Sequence, residues 1–324
     1  MSNKILGKIF LSAFFTYLFS TVNTVSSKSF NETEAIDYAY ASAMTHCDPA
    51  LIESWNCGVA CLNLTGYQPF FAQMVNVSSQ ESFVFALLQD PSEKKLVTAY
   101  RGTVGNFELL LEVLQGDPVP YNLTDIPGAL VDDYFYNHYI TYIRSLVIEQ
   151  LQEAYQLYPD YEFVFTGHSL GAALATLTAF DAVSQGVVPR EQSKLYNFGS
   201  PRVGNYILAQ AIQDAIPEIY RVVHWRDLVP HVPFCAKDAT GVCVKNATSL
   251  NSLPMQWPAY HLEPEIFFDD KNTDYTHCNG GEDPECSDQF SLVQTSMDWH
   301  YVYLNITMEC VPAKEAEAKS LILT

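Results

Sequence analysis

The stretch from Tyr161 to Phe180, YEFVFTGHSLGAALATLTAF, constrains this chain more than any other. It opens with the apolar, aromatic and β-branched residues of a buried strand and closes with the small apolar residues of a buried helix. Only Gly167-His168-Ser169-Leu170-Gly171 separates the two. A strand that turns into a helix so abruptly needs glycines around the turn, because larger side chains would strike neighbouring backbone. The serine at the apex is either a helix cap or a nucleophile raised above a sheet. The strand before it and the helix after it favour the nucleophile elbow. Ser169 Oγ is then exposed, and the Leu170 N–H at the helix N-terminus points at the same space as an oxyanion donor.

The surrounding pattern supplies the sheet that such an elbow requires. Strands are expected at 161–166, in KLYNFGS (194–200), at 219–224 and, after a long irregular stretch from Arg226 to Pro264, at 265–268. Helices are expected between them, over 170–185 and 205–215. This order builds a mostly parallel central sheet with helices on both faces, and such sheets hold ligands at the carboxyl ends of their strands. Upstream, 31–46 carries a helical pattern with small apolar residues, and SFVFALLQDPSEKKLVTAYRG reads as two strands around a turn at Asp90-Pro91-Ser92. Ile140, Ile143, Val147, Leu151 and Ala154 recur at helical spacing, so 132–157 is expected to form one long helix. With 324 residues and 48% hydrophobic content the chain can bury one sizeable core, and no internal repeat divides it.

The beginning of the chain has a different character. Lys4 and Lys8 precede an apolar run, Ile9 to Phe19, followed by small polar residues through Ser27. This is the pattern of a secretory signal peptide over 1–27, which leaves 28–324 as a single domain. The apolar run is too short to span a bilayer. Six Asn-x-Ser/Thr sequons, at Asn31, Asn63, Asn76, Asn122, Asn246 and Asn305, agree with a secreted, glycosylated surface. So does an even set of eight cysteines, which suggests four disulfides. No C-x-x-C pair recurs and no histidine stands at ligand spacing to the cysteines, so a zinc site is not expected. The formal net charge is −20, or −22 once Lys4 and Lys8 are removed. Such a chain is not drawn to nucleic acid or anionic lipid, so any lipid surface must be met through apolar contact.

A serine nucleophile needs a base, and the base needs an orienting carboxylate. In folds with this elbow the chain order is Ser, Asp or Glu, then His. Asp227 follows the strand IYRVVHW and can reach the site from its carboxyl end. His231, His261, His277 and His300 come after it. His231 is too close to Asp227 in the chain to approach from the opposite side. His261 precedes the strand EIFF, His277 lies in an acidic loop, and His300 stands near the end, where the last member is expected.

At this point the chain resembles the class 3 lipases, the family of secreted fungal-type triacylglycerol lipases. The resemblance rests on YRGT at 100–103, YPDYEFVFTGHSLGAALA at 158–175, LYNFGSPRVGN at 195–205, RDLVPHVP at 226–233, AYHLEPEIFF at 259–268, and His300 with Tyr303. Val131–Phe135 (VDDYF), Ala172 and the final DWHYVY depart from the usual pattern. The resemblance implies an α/β-hydrolase fold, Ser169 as nucleophile, Asp227 as orienter, His300 as base, and Thr103 beside Leu170 in the oxyanion hole. It implies hydrolysis of a lipid ester without cofactor or metal. A phospholipase A1 or another carboxylesterase, such as a feruloyl esterase, would fit the same scaffold, and an inactive lipid-binding protein is the reading of another class. The cysteines are expected to pair as Cys57–Cys61, Cys235–Cys243 and Cys278–Cys286, closing short loops, and as Cys47–Cys310, an N-to-C staple similar to one the resemblance implies. Finally, VGNFELLLEVLQGD (104–117), drawn as a helix, keeps Glu108, Glu112 and Gln115 on one stripe and apolar residues elsewhere; it is either an ordinary helix buried on most sides or a lid hinged at Gly105 and Gly116, which the resemblance also implies.

Overall fold

A computed structural model describes residues 29–78, 81–102, 117–239, 241–245 and 258–313. The proposed signal segment, Thr103, Asn246 and all of the expected lid but Asp117 lie outside the described residues. The main sheet has eight strands: β1 (Gln68–Asn76), β2 (Ser82–Asp90), β3 (Lys95–Tyr100), β4 (Glu162–His168), β5 (Ser193–Phe198), β6 (Glu218–His224), β7 (Glu265–Phe268) and β8 (Tyr275–His277). They lie side by side in chain order. Strands β3 to β7 are parallel, and antiparallel pairs close both edges.

Alternation along the strands sorts the core into two layers. Phe85, Leu87, Leu96, Phe163, Phe165 and Leu195 face one way, toward α2 (Arg144–Leu157), α3 (Leu170–Ser184) and α4 (Tyr206–Ala215). Val84, Ala86, Val97, Ala99, Val164 and Phe198 face the other, toward α1 (Glu32–Met44) and the tail around Tyr303 to Met308. Helix α1 begins where Asn31 Oδ1 accepts the Thr33 and Glu34 N–H groups, at 3.1 and 3.3 Å. Its buried Ala35, Ala39 and Ala43, one turn apart, keep that face small against the sheet. Ser42 Oγ accordingly lies 3.2 Å from Thr166 Oγ1 on β4. Helix α3 is buried at every position from Leu170 to Ala182, which explains why it is apolar all round. Its one acid there, Asp181, is held by Arg144 Nε and Tyr139 Oη, each at 2.8 Å.

The long helix expected over 132–157 is present as a helical run from Asp133 to Leu157, with a π-turn at Tyr139–Ile143 that ends at α2. Asp132 caps it, its Oδ1 accepting from Tyr134 N at 3.0 Å and from Phe135 N at 3.4 Å. Asp132 is fully buried, and Oδ2 has no hydrogen-bond partner among the described residues. Burial raises its carboxyl to about 7, against the lowering effect of the two capping N–H groups. A carboxyl raised in the folded state favours folding below its unfolded value and loses that contribution as pH rises through about 7. Asp132→Asn keeps the capping oxygen and removes the charge. Its unfolding free energy should match the parent's at pH 4 and exceed it at pH 8, by up to about 4 kcal/mol. Urea titrations at the two pH values read the difference, and equal gains at both would locate the effect elsewhere.

The irregular stretch after β6 is anchored by polar pairs instead of periodic apolar residues. Arg221 Nη2 on β6 meets Glu265 Oε2 on β7 at 2.5 Å, and both side chains are buried. Arg202 meets Glu282 with two N–H groups, at 2.8 and 2.6 Å. Four disulfides complete the frame: Cys47–Cys310, Cys57–Cys61, Cys235–Cys243 and Cys278–Cys286.

Candidate active site

Ser169, Asp227 and His300 gather where the parallel strands end. Ser169 follows β4 directly, with φ 59° and ψ −130°, a conformation that L side chains rarely adopt. The two glycines of the turn are there because the chain crosses itself. A Cβ on Gly167 would lie 2.3 Å from the Gly171 carbonyl, and one on Gly171 would lie 2.2 Å from Tyr100 O on β3. Gly102 packs on the same turn, where a Cβ would come 3.1 Å from Ser169 Cβ. Thr103 is the next residue in the chain.

Asp227 lies three residues beyond β6 and is fully buried. Its Oδ1 accepts the Val229 N–H at 2.9 Å. Its Oδ2 accepts His300 Nδ1–H at 2.8 Å and also the hydroxyl of Tyr303. A carboxylate can only accept, so His300 carries its proton on Nδ1 and presents Nε2 as a bare lone pair. That Nε2 is buried and has no hydrogen-bond partner among the described residues, which leaves it available to take a proton. The segment carrying His300 is tied to the end of β6. Ser296 N donates to Arg226 O at 2.9 Å, and His224 Nδ1 lies 3.0 Å from Trp299 O.

The other histidines weighed above lie elsewhere. His261 is buried, its Nε2 2.7 Å from Pro230 O, and it braces a loop. His231 is buried and held well below its ordinary range, at about 4, chiefly by burial. His277 is exposed on β8. Two contributors carry little or no signal in the sequence. Gly199, just past β5 at φ +55°, leaves the space that Asp227 and Tyr303 share, since a Cβ there would lie 2.8 Å from both Asp227 Oδ2 and Tyr303 Oη. Tyr303 stands out in the sequence only by its spacing to His300. Its phenol is pushed well above the ordinary range by burial and then by the Asp227 charge, so it stays a donor.

Residues 97–237 match the family model of the class 3 lipases. A lipase of Caenorhabditis elegans is 33% identical over 213 residues, covering 61% of this chain and 57% of the relative. The secreted mono- and diacylglycerol lipase A of Penicillium cyclopium is 36% identical over 146 residues, covering 44% of this chain and 45% of the relative. The chain thus spans about half the length of the curated relatives it matches. Among solved structures, the Rhizomucor miehei lipase propeptide complex superposes with a TM-score of 0.72 at 23% identity, covering 88% of this chain and 82% of that one. A triacylglycerol lipase described as having a serine-protease triad for its catalytic centre gives 0.70 at 24%, covering 86% and 97%. At that identity the two structures establish the fold, which is that of the α/β-hydrolases. The matched segment runs from β3 through the elbow to just beyond Asp227, and over that segment the chain is similar to the class 3 lipases.

Proposed function

We propose that the protein is a serine ester hydrolase acting on acylglycerols, with Ser169 as nucleophile, His300 as base and Asp227 as its orienter. The observation that carries the reading is the buried His300–Asp227 pair beside a serine held at positive φ. Ser169 Oγ attacks the ester carbonyl while His300 Nε2 takes its proton. The oxyanion is stabilised by the Leu170 N–H and by Thr103. The imidazolium returns the proton to the leaving alcohol. Water, deprotonated by the same nitrogen, then releases the acid and restores Ser169. Asp227 stabilises the imidazolium without being protonated itself. These steps need no metal or cofactor.

The substrate class follows the relatives, whose names specify lipase and, in Penicillium cyclopium, mono- and diacylglycerol lipase. We further propose that 1–27 is a signal segment, that 28–324 form the domain and that the protein is secreted. The five described sequon asparagines are exposed, and eight cysteines are paired, both in keeping with that route. The test is purified protein on monoolein, diolein, triolein, tributyrin, phosphatidylcholine and methyl ferulate in parallel. Glyceride hydrolysis should dominate and vanish in Ser169→Ala. Turnover confined to phosphatidylcholine or ferulate would replace the substrate assignment, and glyceride hydrolysis surviving in Ser169→Ala would remove the nucleophile.

Tyr303→Phe separates the two hydrogen bonds on Asp227 Oδ2. A hydrogen bond to a charged group contributes about 1.5–3 kcal/mol, so kcat should fall by about 10- to 100-fold with the fold retained. A kcat within about twofold of the parent would mean that His300 and Val229 suffice to hold the carboxylate.

A further inference from the structure

The residue between the elbow glycine and Ser169 is a histidine that the mechanism above does not use. His168 is 3% exposed, and its ring centroid lies 4.2 Å from that of His300, with the planes 34° apart. Its Nε2 lies 2.8 Å from the backbone oxygen of His300. A carbonyl only accepts, so His168 carries its proton on Nε2 and donates it to the base's own main chain. Tyr303 also packs edge-on against the His168 ring, with centroids 5.6 Å apart. His300 is therefore gripped at three points: His168 holds its carbonyl, Met297 O accepts its N–H at 2.9 Å, and Asp227 holds its ring.

We propose that His168 is a positioning residue that fixes the base relative to the nucleophile through the hydrogen bond from its Nε2 to the His300 carbonyl. One residue at the end of β4 then carries the serine on its peptide bond and the base's backbone on its side chain. The separation of Ser169 from His300 is set by a single short path instead of by the long chain between them. This rests on the assignment of Ser169 and His300 made above. Displacements of about 1 Å in such a pair cost on the order of 100-fold in rate, so a contact of this kind belongs to the chemistry even though it touches no substrate. The ring also suits its neighbour. Burial first, and then the nearby charges of His300 and His46, hold His168 well below its ordinary range, so no second cation lies against the imidazolium formed in turnover.

Three substitutions separate the donor from the bulk. His168→Phe keeps a ring against His300 and loses the donor. His168→Met and His168→Gln have similar length, and only Gln restores an N–H near the position of Nε2. On dissolved p-nitrophenyl acetate, Phe and Met should lower kcat by about 10- to 100-fold with KM within about twofold, and Gln should recover at least about tenfold over Met. Inactivation by an alkyl phosphonate, which reports Ser169 attack directly, should fall in parallel. Thermal unfolding of each variant is recorded alongside. If Phe does not fold, the Gln-to-Met ratio decides. A ratio near one, or losses that follow the unfolding midpoint and raise KM, would overturn the proposal. Ser169→Ala and His300→Ala serve as controls: full activity in either would sink the triad assignment instead, whatever the His168 series shows.

Discussion

Ester hydrolysis should fall by at least about 10³-fold when Ser169 or His300 is replaced by alanine, with the unfolding transition nearly unchanged. Ser169→Ala leaves a non-glycine residue at the same positive φ, so the strain of the turn is the same before and after. Its only loss is the oxygen. His300→Ala removes the base and leaves Asp227 still accepting from Val229 and Tyr303. Residual activity should be similar in the two variants and in their double mutant, because each removes one part of a unit that works only when whole. His261→Ala is the contrast. It removes a loop brace on Pro230 and should reduce stability more than kcat. A His261→Ala variant that is dead, beside an active His300→Ala variant, would reassign the base.

The second large effect concerns the bond between Cys47 and Cys310, 263 residues apart. It joins the turn after α1 to the tail that follows the 302–307 hairpin, and both cover the same face of the sheet. Val59 N also donates to Val311 O at 2.9 Å, so the two ends meet by hydrogen bond as well. On the chain-entropy account, a closure of this length stabilises by about 5 kcal/mol through restriction of the unfolded chain. The double variant Cys47→Ser, Cys310→Ser should lose most of that in urea titrations, while Cys57→Ser with Cys61→Ser, which opens a loop of one helical turn, should lose much less. Because the tail carries Tyr303 and His300, activity at elevated temperature should decline in the same order. Equal losses in the two pairs would show that loop length does not govern them.

Much of this fold is legible in the sequence because its physical signal is local. The strands at 162–168 and 265–268, the helix from Leu170 and the long run ending at Leu157 all follow hydrophobic period and turn chemistry. The strand at 68–76 is not legible. QPFFAQMVN has a proline in it, and as an edge strand it is only partly buried, so its alternation is weak. The strand at 275–277 is three exposed residues held by β7, with no pattern of its own. The π-turn leaves no mark in sequence either. Among the candidate site residues, Ser169 announces itself by its flanking glycines, and Asp227 and His300 by chain order. Gly199 and His168 do not, because Gly199 only leaves room for Asp227 and Tyr303 and His168 reaches His300 across 132 residues, and spacing carries no information about such contacts.

The spatial order of the sheet has a consequence for how the protein comes into being. Each strand lies beside its predecessor in the chain, so a polypeptide emerging from its N-terminus can add strands one at a time to an existing edge, and few of these pairings wait for distant sequence. The last pieces to arrive are of another kind. They are His300, Tyr303 and Cys310, which enter after the sheet is built. A nascent chain would thus own a folded scaffold and an exposed serine well before it owned a base. On the proposed triad, activity would switch on only with the docking of the segment that carries His300.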